Sequence, residues 1–340
     1  MIRPISHTEA SAALDCQAKH AFAYTGQLTG GTALKPKSTA PILREGRAWG
    51  AAVAAWHSSD GDTERARAAL EIQLSLDAAD QEQAGVYDPD EHATLTTHLH
   101  GLLDDYVLNA ELIRLDRLER ELLVAIPSRT GRADSNRYRL QAYIDGVHTD
   151  ADDRDWIVEF KLRRKLTPFE LIAKLRQIRW YAWAWRKETG REIAGVIVEE
   201  RLNAVPKPVA FKQDGLPSKV QSCRPDAYVA AFDDLDLDPD PDIVAKLQAK
   251  EWCKRHPLVL STAELDEAGR QLASVGSLIQ QLDTGALFPI RNPSPLRCPG
   301  CAFRDVCGGN EGDTELVEAL FERRPPKHER KEEVNGTRVR

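Results

Sequence analysis

The sequence predicts an α/β fold organised around a mixed β-sheet. Three observations predict it. Two short β-like runs, Tyr138–Ile144 and Trp156–Phe160, flank an acidic turn at His148–Asp155 and lead into a helix. Ile193–Glu199 follows, and its core, Val196-Ile197-Val198, reads as a continuously buried strand. Strand, strand, helix, strand is the order of a mixed sheet with a crossover helix.

The elements are justified in chain order. Ser6 or Thr8 suits the N-cap of a short helix with Ala12, Ala13 and Leu14 on its apolar face and Cys16 upon it. Gly30–Pro41 is a loop. Gly46–Trp56 reads as a tightly packed Ala-rich helix, and Thr63–Leu76 and His92–Ala110 as helices with mixed three and four spacings. Glu111–Pro127 alternates loosely and suits strands entering the core. The crossover helix has Thr167 placed as N-cap, Pro168 at its first position and Glu170 to complete a capping box. It extends through Trp183 and Trp185 to Thr189, with Gly190 as the residue after its end. The two Trp suit stacking on unpaired bases, or, for at least one, core packing. Asn203–Cys223 is a loop or hairpin carrying Lys207, Lys212 and Lys219. Ile243–His256 and Ala263–Leu282 read as helices, and Cys223 and Cys253 as structural. Arg324–Arg340 is charged and nearly free of apolar residues, the composition of a disordered segment.

With 340 residues and 42% hydrophobic content the chain can bury a substantial core. Its formal charge of −7 is not that of a protein coated in basic patches, so any nucleic-acid binding must come from local segregation. From Glu159 to Arg191 there are ten Lys or Arg against three Glu. No apolar run approaches 18 residues and no signal-peptide core is present, which predicts a soluble, cytoplasmic protein with no membrane partner.

Asp145 closes the first β-like run, and Glu159 and Lys161 close the second with Phe160 between them. Two carboxylates at the ends of adjacent strands suit one or two hard cations, and a neighbouring Lys suits orienting or deprotonating water. Gln177 and Tyr181, four apart, share one helix face. Near the C-terminus, Cys298, Cys301 and Cys307 have C-x2-C-x5-C spacing, which points to a metal. Three thiolates are one short of a closed site, and Cys16 is the candidate for the fourth.

Asp145, then Glu159-Phe160-Lys161, then Gln177-x-x-x-Tyr181 resembles the PD-(D/E)XK nucleases, in particular their RecB/AddB-like exonuclease branch. An isolated N-terminal Cys with a C-terminal C-x2-C-x5-C resembles that branch's iron–sulfur subset, to which CRISPR-associated exonucleases belong. The resemblance implies a restriction-endonuclease-like core with helical insertions and a C-terminal iron–sulfur staple. It implies that Asp145 and Glu159 bind Mg²⁺ or Mn²⁺, that Phe160 lends a backbone carbonyl, and that Lys161 is the catalytic lysine. Gln177 and Tyr181 would sit beside the metal and contact DNA. Cys16, Cys298, Cys301 and Cys307 would hold a structural [4Fe–4S] cluster, with Zn²⁺ on the same ligands as the alternative.

One departure stands out. The family has a Gly-x-x-x-His element near Gly46, whose His is a further metal ligand, but here the fourth residue on is Gly50. His57 lies about 10 Å further along the helix, too far to substitute directly. The third ligand is left open to water or another carboxylate such as Glu45. The expected organisation is a single nuclease domain over 1–310, with a helical insertion at about 60–110, a catalytic core at about 111–200 and a helical and iron–sulfur region at about 240–310. A charged, disordered tail spans 311–340. The expected activity is a Mg²⁺- or Mn²⁺-dependent DNA exonuclease in recombination, repair or DNA processing. Its partners are DNA with single-stranded character or free ends, and a helicase or recombination partner. The alternative is a non-catalytic DNA-binding or scaffolding protein on the same fold.

Overall fold

A computed structural model describes residues 2–329. The frame is one six-stranded mixed sheet. Its strands are β1 (Arg3–Ser6), β3 (Arg117–Pro127), β4 (Asp134–Thr149), β5 (Asp155–Arg163), β6 (Ile193–Leu202) and β7 (Cys253–Val259), in the order β1-β4-β5-β6-β7 with β3 pairing β4. β5 and β6 are parallel, joined by the crossover that carries α7 (Arg176–Thr189).

Each face of the sheet carries its own helical layer. Ile157, Val196 and Val198 look toward α1 (His7–Asp15), α7 and α10 (Thr262–Asp283). Val158, Phe160 and Leu162 alternate to the other face, under α3 (Pro41–Ser58), α4 (Thr63–Gln83) and α5 (Pro89–Asn109). The caps explain the helix boundaries. Ser6 caps α1 through its hydroxyl, Asp62 and Asp88 cap α4 and α5, and Ser261 with Glu264 forms a capping box on α10. Gly190 ends α7 in the left-handed region at φ 66°, as its position after the helix leads one to expect.

Four local expectations are corrected. The acidic turn is shorter than His148–Asp155, because β4 runs on to Thr149, and Asp145 therefore lies within its strand. Thr167 caps no helix: its N–H and hydroxyl both donate to Glu200 on β6, at 2.6 and 2.9 Å. The chain makes only the short α6 (Phe169–Ile172), and α7 starts afresh at Arg176. Of Ile243–His256, only the part within α9 (Pro241–Gln248) is helical, preceded by α8 (Pro225–Asp233); residues 249–252 are irregular, and from Cys253 the chain is the edge strand β7.

The fourth concerns the termini. α2 (Gln17–His20) and a π-helical turn (Ala21–Thr25) follow α1, and β2 (Ala33–Pro36) interrupts the expected loop. β2 pairs antiparallel with β8 (Phe321–Arg324), which follows α11 (Thr314–Leu320). The first part of the expected disordered tail is thus ordered, and residues 330–340 of it lie outside the described residues. No helix among the described residues is long and apolar enough to cross a membrane.

Candidate metal centre

The site forms where two strands part. β3 pairs along one edge of β4, so β1 and β5 must share the other. β1 takes residues 138–141 and β5 takes 146–149. Between them lies a gap at 142–145, and Asp145 sits at its border. Beyond Gly146↔Val158 the β4–β5 ladder stops, and the Asp145 carboxylate replaces the missing backbone acceptor. Its Oδ2 accepts from the Phe160 N–H at 2.9 Å.

Glu159 and Lys161, two apart on β5, share the face that looks toward α7. Glu159 is 1% exposed, and Lys161 Nζ donates to its Oε2 at 2.6 Å. Gln177 Nε2 reaches the same oxygen at 3.4 Å, from the first turn of α7. Burial raises the Asp145 and Glu159 carboxyls above their ordinary values, against the pull of Lys161, and Asp145 pushes Glu159 further up. Burial alone would lower Lys161, but Glu159 and Asp145 outweigh it and hold the ammonium charged. Tyr181, one turn after Gln177, is pushed up to about 12 by burial and by Glu159, so it is a protonated donor at neutral pH. Asp145, Glu159, Lys161, Gln177 and Tyr181 are thus brought together, while Glu45 is engaged elsewhere by Asn203 Nδ2 at 2.6 Å.

One histidine escaped the sequence reading, and a second, His57, was weighed there only as a substitute ligand. His7 opens α1 beside the gap, edge-on to Trp180 and Tyr181 at 5.7 and 6.3 Å between ring centres. Burial, then Lys161 and Arg176, lower it to about 4, so it is neutral at physiological pH. Only the pairing of β1 with β4 places it there. His57 is wholly buried on the opposite face of the sheet, where its ring stacks on Phe160.

Among the described residues, no group of three or more His, Cys, Asp or Glu is arranged to hold a metal ion. Two features nevertheless suit a divalent cation at Asp145 and Glu159: two hard oxygen donors, and a buried Glu159 Oε1 that has no hydrogen-bond partner.

The basic stretch is less free than its composition suggests. Lys161, Arg163, Arg176, Arg179, Arg186, Lys187 and Arg191 are all ion-paired, to Glu159, Glu200, Asp15, Glu264, Asp266, Asp134 and Asp155 respectively. Arg164, Lys165 and Lys174 remain exposed without a salt bridge among the described residues, on the segment that follows β5. Trp183 and Trp185 are 5% and 0% exposed and pack in the core, which removes them as base-stacking surfaces.

At the termini, the chain around Cys16 docks on the cysteine-bearing loop. Ala18 N donates to Ile290 O at 3.2 Å, and Asn292 Nδ2 to Asp15 O at 2.9 Å. Cys16 and Cys301 pack against one small core of Phe22, Phe303 and Phe321, whose rings stack at 5.5 and 5.4 Å. Burial raises the Cys307 thiol, Arg291 opposes this, and Cys16 and Cys301 raise it further. Cys298 stands three residues before Cys301, its Sγ accepting from Ser294 N at 3.2 Å.

The model of the PD-(D/E)XK nuclease superfamily matches residues 4–308. The chain belongs to that superfamily, whose members usually use Mg²⁺ or Mn²⁺. No curated protein matches it. Among solved structures it is similar to one titled "Crystal structure of SSO0001", at 14% identity over 77% of this chain and 85% of that one, with a TM-score of 0.29.

Proposed function

We propose that the protein is a divalent-metal-dependent deoxyribonuclease that degrades DNA from its ends, in recombination, repair or DNA processing. The observation that carries this reading is the convergence of Asp145, Glu159 and Lys161 where β4 and β5 separate. Asp145, Glu159 and the Phe160 carbonyl would hold Mg²⁺ or Mn²⁺, which when bound neutralises charge building on the phosphodiester. Lys161 orients the attacking water and carries positive charge to its side of the phosphate. Gln177 fixes the Glu159 carboxylate, and Tyr181 donates to the bound strand. Arg164, Lys165 and Lys174 contact the backbone nearby.

The test is digestion of end-labelled single- and double-stranded DNA with Mg²⁺ and with Mn²⁺. Loss of product in Asp145→Ala and Lys161→Ala supports the assignment, and full activity in either overturns it. The alternative, a DNA-binding protein without catalysis, is favoured by Gly50 standing where the family has a histidine. DNA binding without cleavage under any divalent metal would establish it.

We also propose that Cys16, Cys298, Cys301 and Cys307 hold a structural [4Fe–4S] cluster tying the chain ends together. Support comes from the docking of the chain around Cys16 on the cysteine-bearing loop and from the packing of Cys16 and Cys301 against one small core. An anaerobic preparation is expected to be brown, absorbing near about 400 nm from thiolate–iron charge transfer. A colourless, zinc-loaded protein would overturn the cluster in favour of zinc on the same ligands.

A further inference from the structure

We infer that His57 is a positioning residue for the metal centre, acting from the far face of the sheet through Phe160. This rests on the reading of Asp145 and Glu159 as metal ligands. Phe160 lies between Glu159 and Lys161, and its ring points the other way, into the α3–α5 layer. The His57 imidazole lies flat on that ring, 5.1 Å between centres and 7° from parallel. The ring stands between His57 and the carboxylates, so His57 is not itself a ligand.

The imidazole is gripped at both nitrogens. Nδ1 accepts from the Ile113 N–H at 2.9 Å, which assigns the proton to Nε2. Nε2 then donates to Tyr106 Oη at 2.7 Å, and the Tyr106 hydroxyl donates to Glu199. Glu199, 3% exposed, accepts from Arg255 Nε at 2.8 Å and from Arg255 Nη2 at 2.5 Å. Burial would raise the Glu199 carboxyl, but His57, Arg255 and Tyr106 together hold it below its ordinary value. The relay draws on α3, α5, the approach to β3, and strands β6 and β7. Burying His57, Tyr106 and Glu199 among Leu, Ala and Trp side chains is costly, and an apolar ring at position 57 would fill the space without its polar partners. What the relay supplies is a fixed ring plane.

That plane matters because the Phe160 amide is the group that holds Asp145. No backbone acceptor faces that N–H across the parted strands, so the angle of the amide sets where Asp145 Oδ2 sits. Supporting groups of this kind typically tune metal affinity by 10–100-fold.

The test uses the full chain with His57→Gln, which keeps polarity and loses the flat ring, and His57→Phe, which keeps the ring. Leu70→Ala on α4 serves as a destabilised control in the same layer. Mn²⁺ binding is titrated without DNA, well below each Tm, and amide exchange is followed over residues 156–163. His57→Gln is expected to weaken Mn²⁺ binding about tenfold or more and to speed exchange at Phe160, in line with a supporting group. His57→Phe, which keeps a ring but loses the grip at both nitrogens, falls between the wild type and His57→Gln in both, and Leu70→Ala changes neither. Wild-type affinity and exchange in His57→Gln, or equal losses in Leu70→Ala, would overturn the inference. If the wild type binds no Mn²⁺, the metal-centre reading fails, and the exchange data alone decide whether His57 holds Phe160.

Discussion

Replacing Lys161 with methionine keeps the length of the side chain and removes its charge. Two quantities should then separate. The first is stability. The ammonium sits 2.6 Å from Glu159 and offsets Asp145 as well, in a place where both carboxyls are already raised by burial. Breaking a buried pair costs about 3–5 kcal/mol when the orphaned charge persists. Here Glu159 can take up a proton instead, since its carboxyl is already part of the way there, so the loss should fall at or below the lower end of that range. The second is rate. A fixed positive donor aimed at charge that builds in the transition state contributes about 10²–10³-fold, which is about 2.7–4 kcal/mol of barrier at 1.36 kcal/mol per decade. Lys161→Met should therefore melt as a cooperative fold with a modestly lower Tm, while hydrolysis of end-labelled DNA at saturating Mn²⁺ falls by at least about a hundredfold. A folded variant that keeps a third or more of wild-type activity would refute the role of the ammonium.

Three further outcomes follow from the fold. Asp155, fully buried, receives Trp185 Nε1 at 2.8 Å, Thr149 Oγ1 at 3.1 Å and Arg191 Nε at 2.9 Å, so Asp155→Ala should destabilise by about 1–3 kcal/mol in urea titrations, by removing the buried acceptor these donors share, while Arg191 keeps Asp153 as a partner. Glu9 is buried against Arg3, His20 and Lys327, which overcome the effect of burial and depress it from 4.5 to about 2. A depressed carboxyl stabilises the fold above its unfolded value, so on the order of 3 kcal/mol is present above pH 4.5 and lost as pH falls toward 2. Glu9→Gln should flatten that acid limb, and an unchanged slope between pH 5 and pH 2.5 would count against it. Gly195 lies so close to β7 that an added Cβ would meet Leu258 O at 2.0 Å, so Gly195→Ala should cost roughly 1–3 kcal/mol or more by forcing the strands apart. A Tm equal to wild type would mean that the close approach is not real.

How far the sequence carried the fold depended on the range of the interaction concerned. Ser6, Gly190 and the Val196–Val198 run were legible because a cap, a left-handed residue and an all-buried strand leave their marks within a few residues. Thr167 misled because its hydroxyl serves Glu200, thirty-three positions away, and a local pattern cannot distinguish that partner from a helix N-terminus. β7 was hidden for a similar reason: Lys254, Arg255 and Pro257 make a poor strand alone, and only pairing with β6 at the sheet edge defines it. At the candidate site, Asp145, Glu159, Lys161, Gln177 and Tyr181 stood out because order and spacing bring them near each other. His7 did not, since nothing in residues 1–20 announces that β1 will lie against Tyr138–Gln141. His57 was weighed only as a substitute ligand, because helical rise says how far a residue lies along an axis and not which side of a sheet it will occupy.

The ribbon of β2 and β8 makes the order of synthesis matter. Ala33 and Arg324 are neighbours in the finished molecule, yet at about 5–20 residues per second the ribosome delivers the second tens of seconds after the first. Until then Ala33–Pro36 is an unsatisfied edge, and the aromatic nest of Phe22 waits for Phe303 and Phe321 to close it. A nascent chain stopped short of α11 would hold its central sheet complete and its N-terminal segment unsealed, which makes that segment the place where quality-control proteases should cut first.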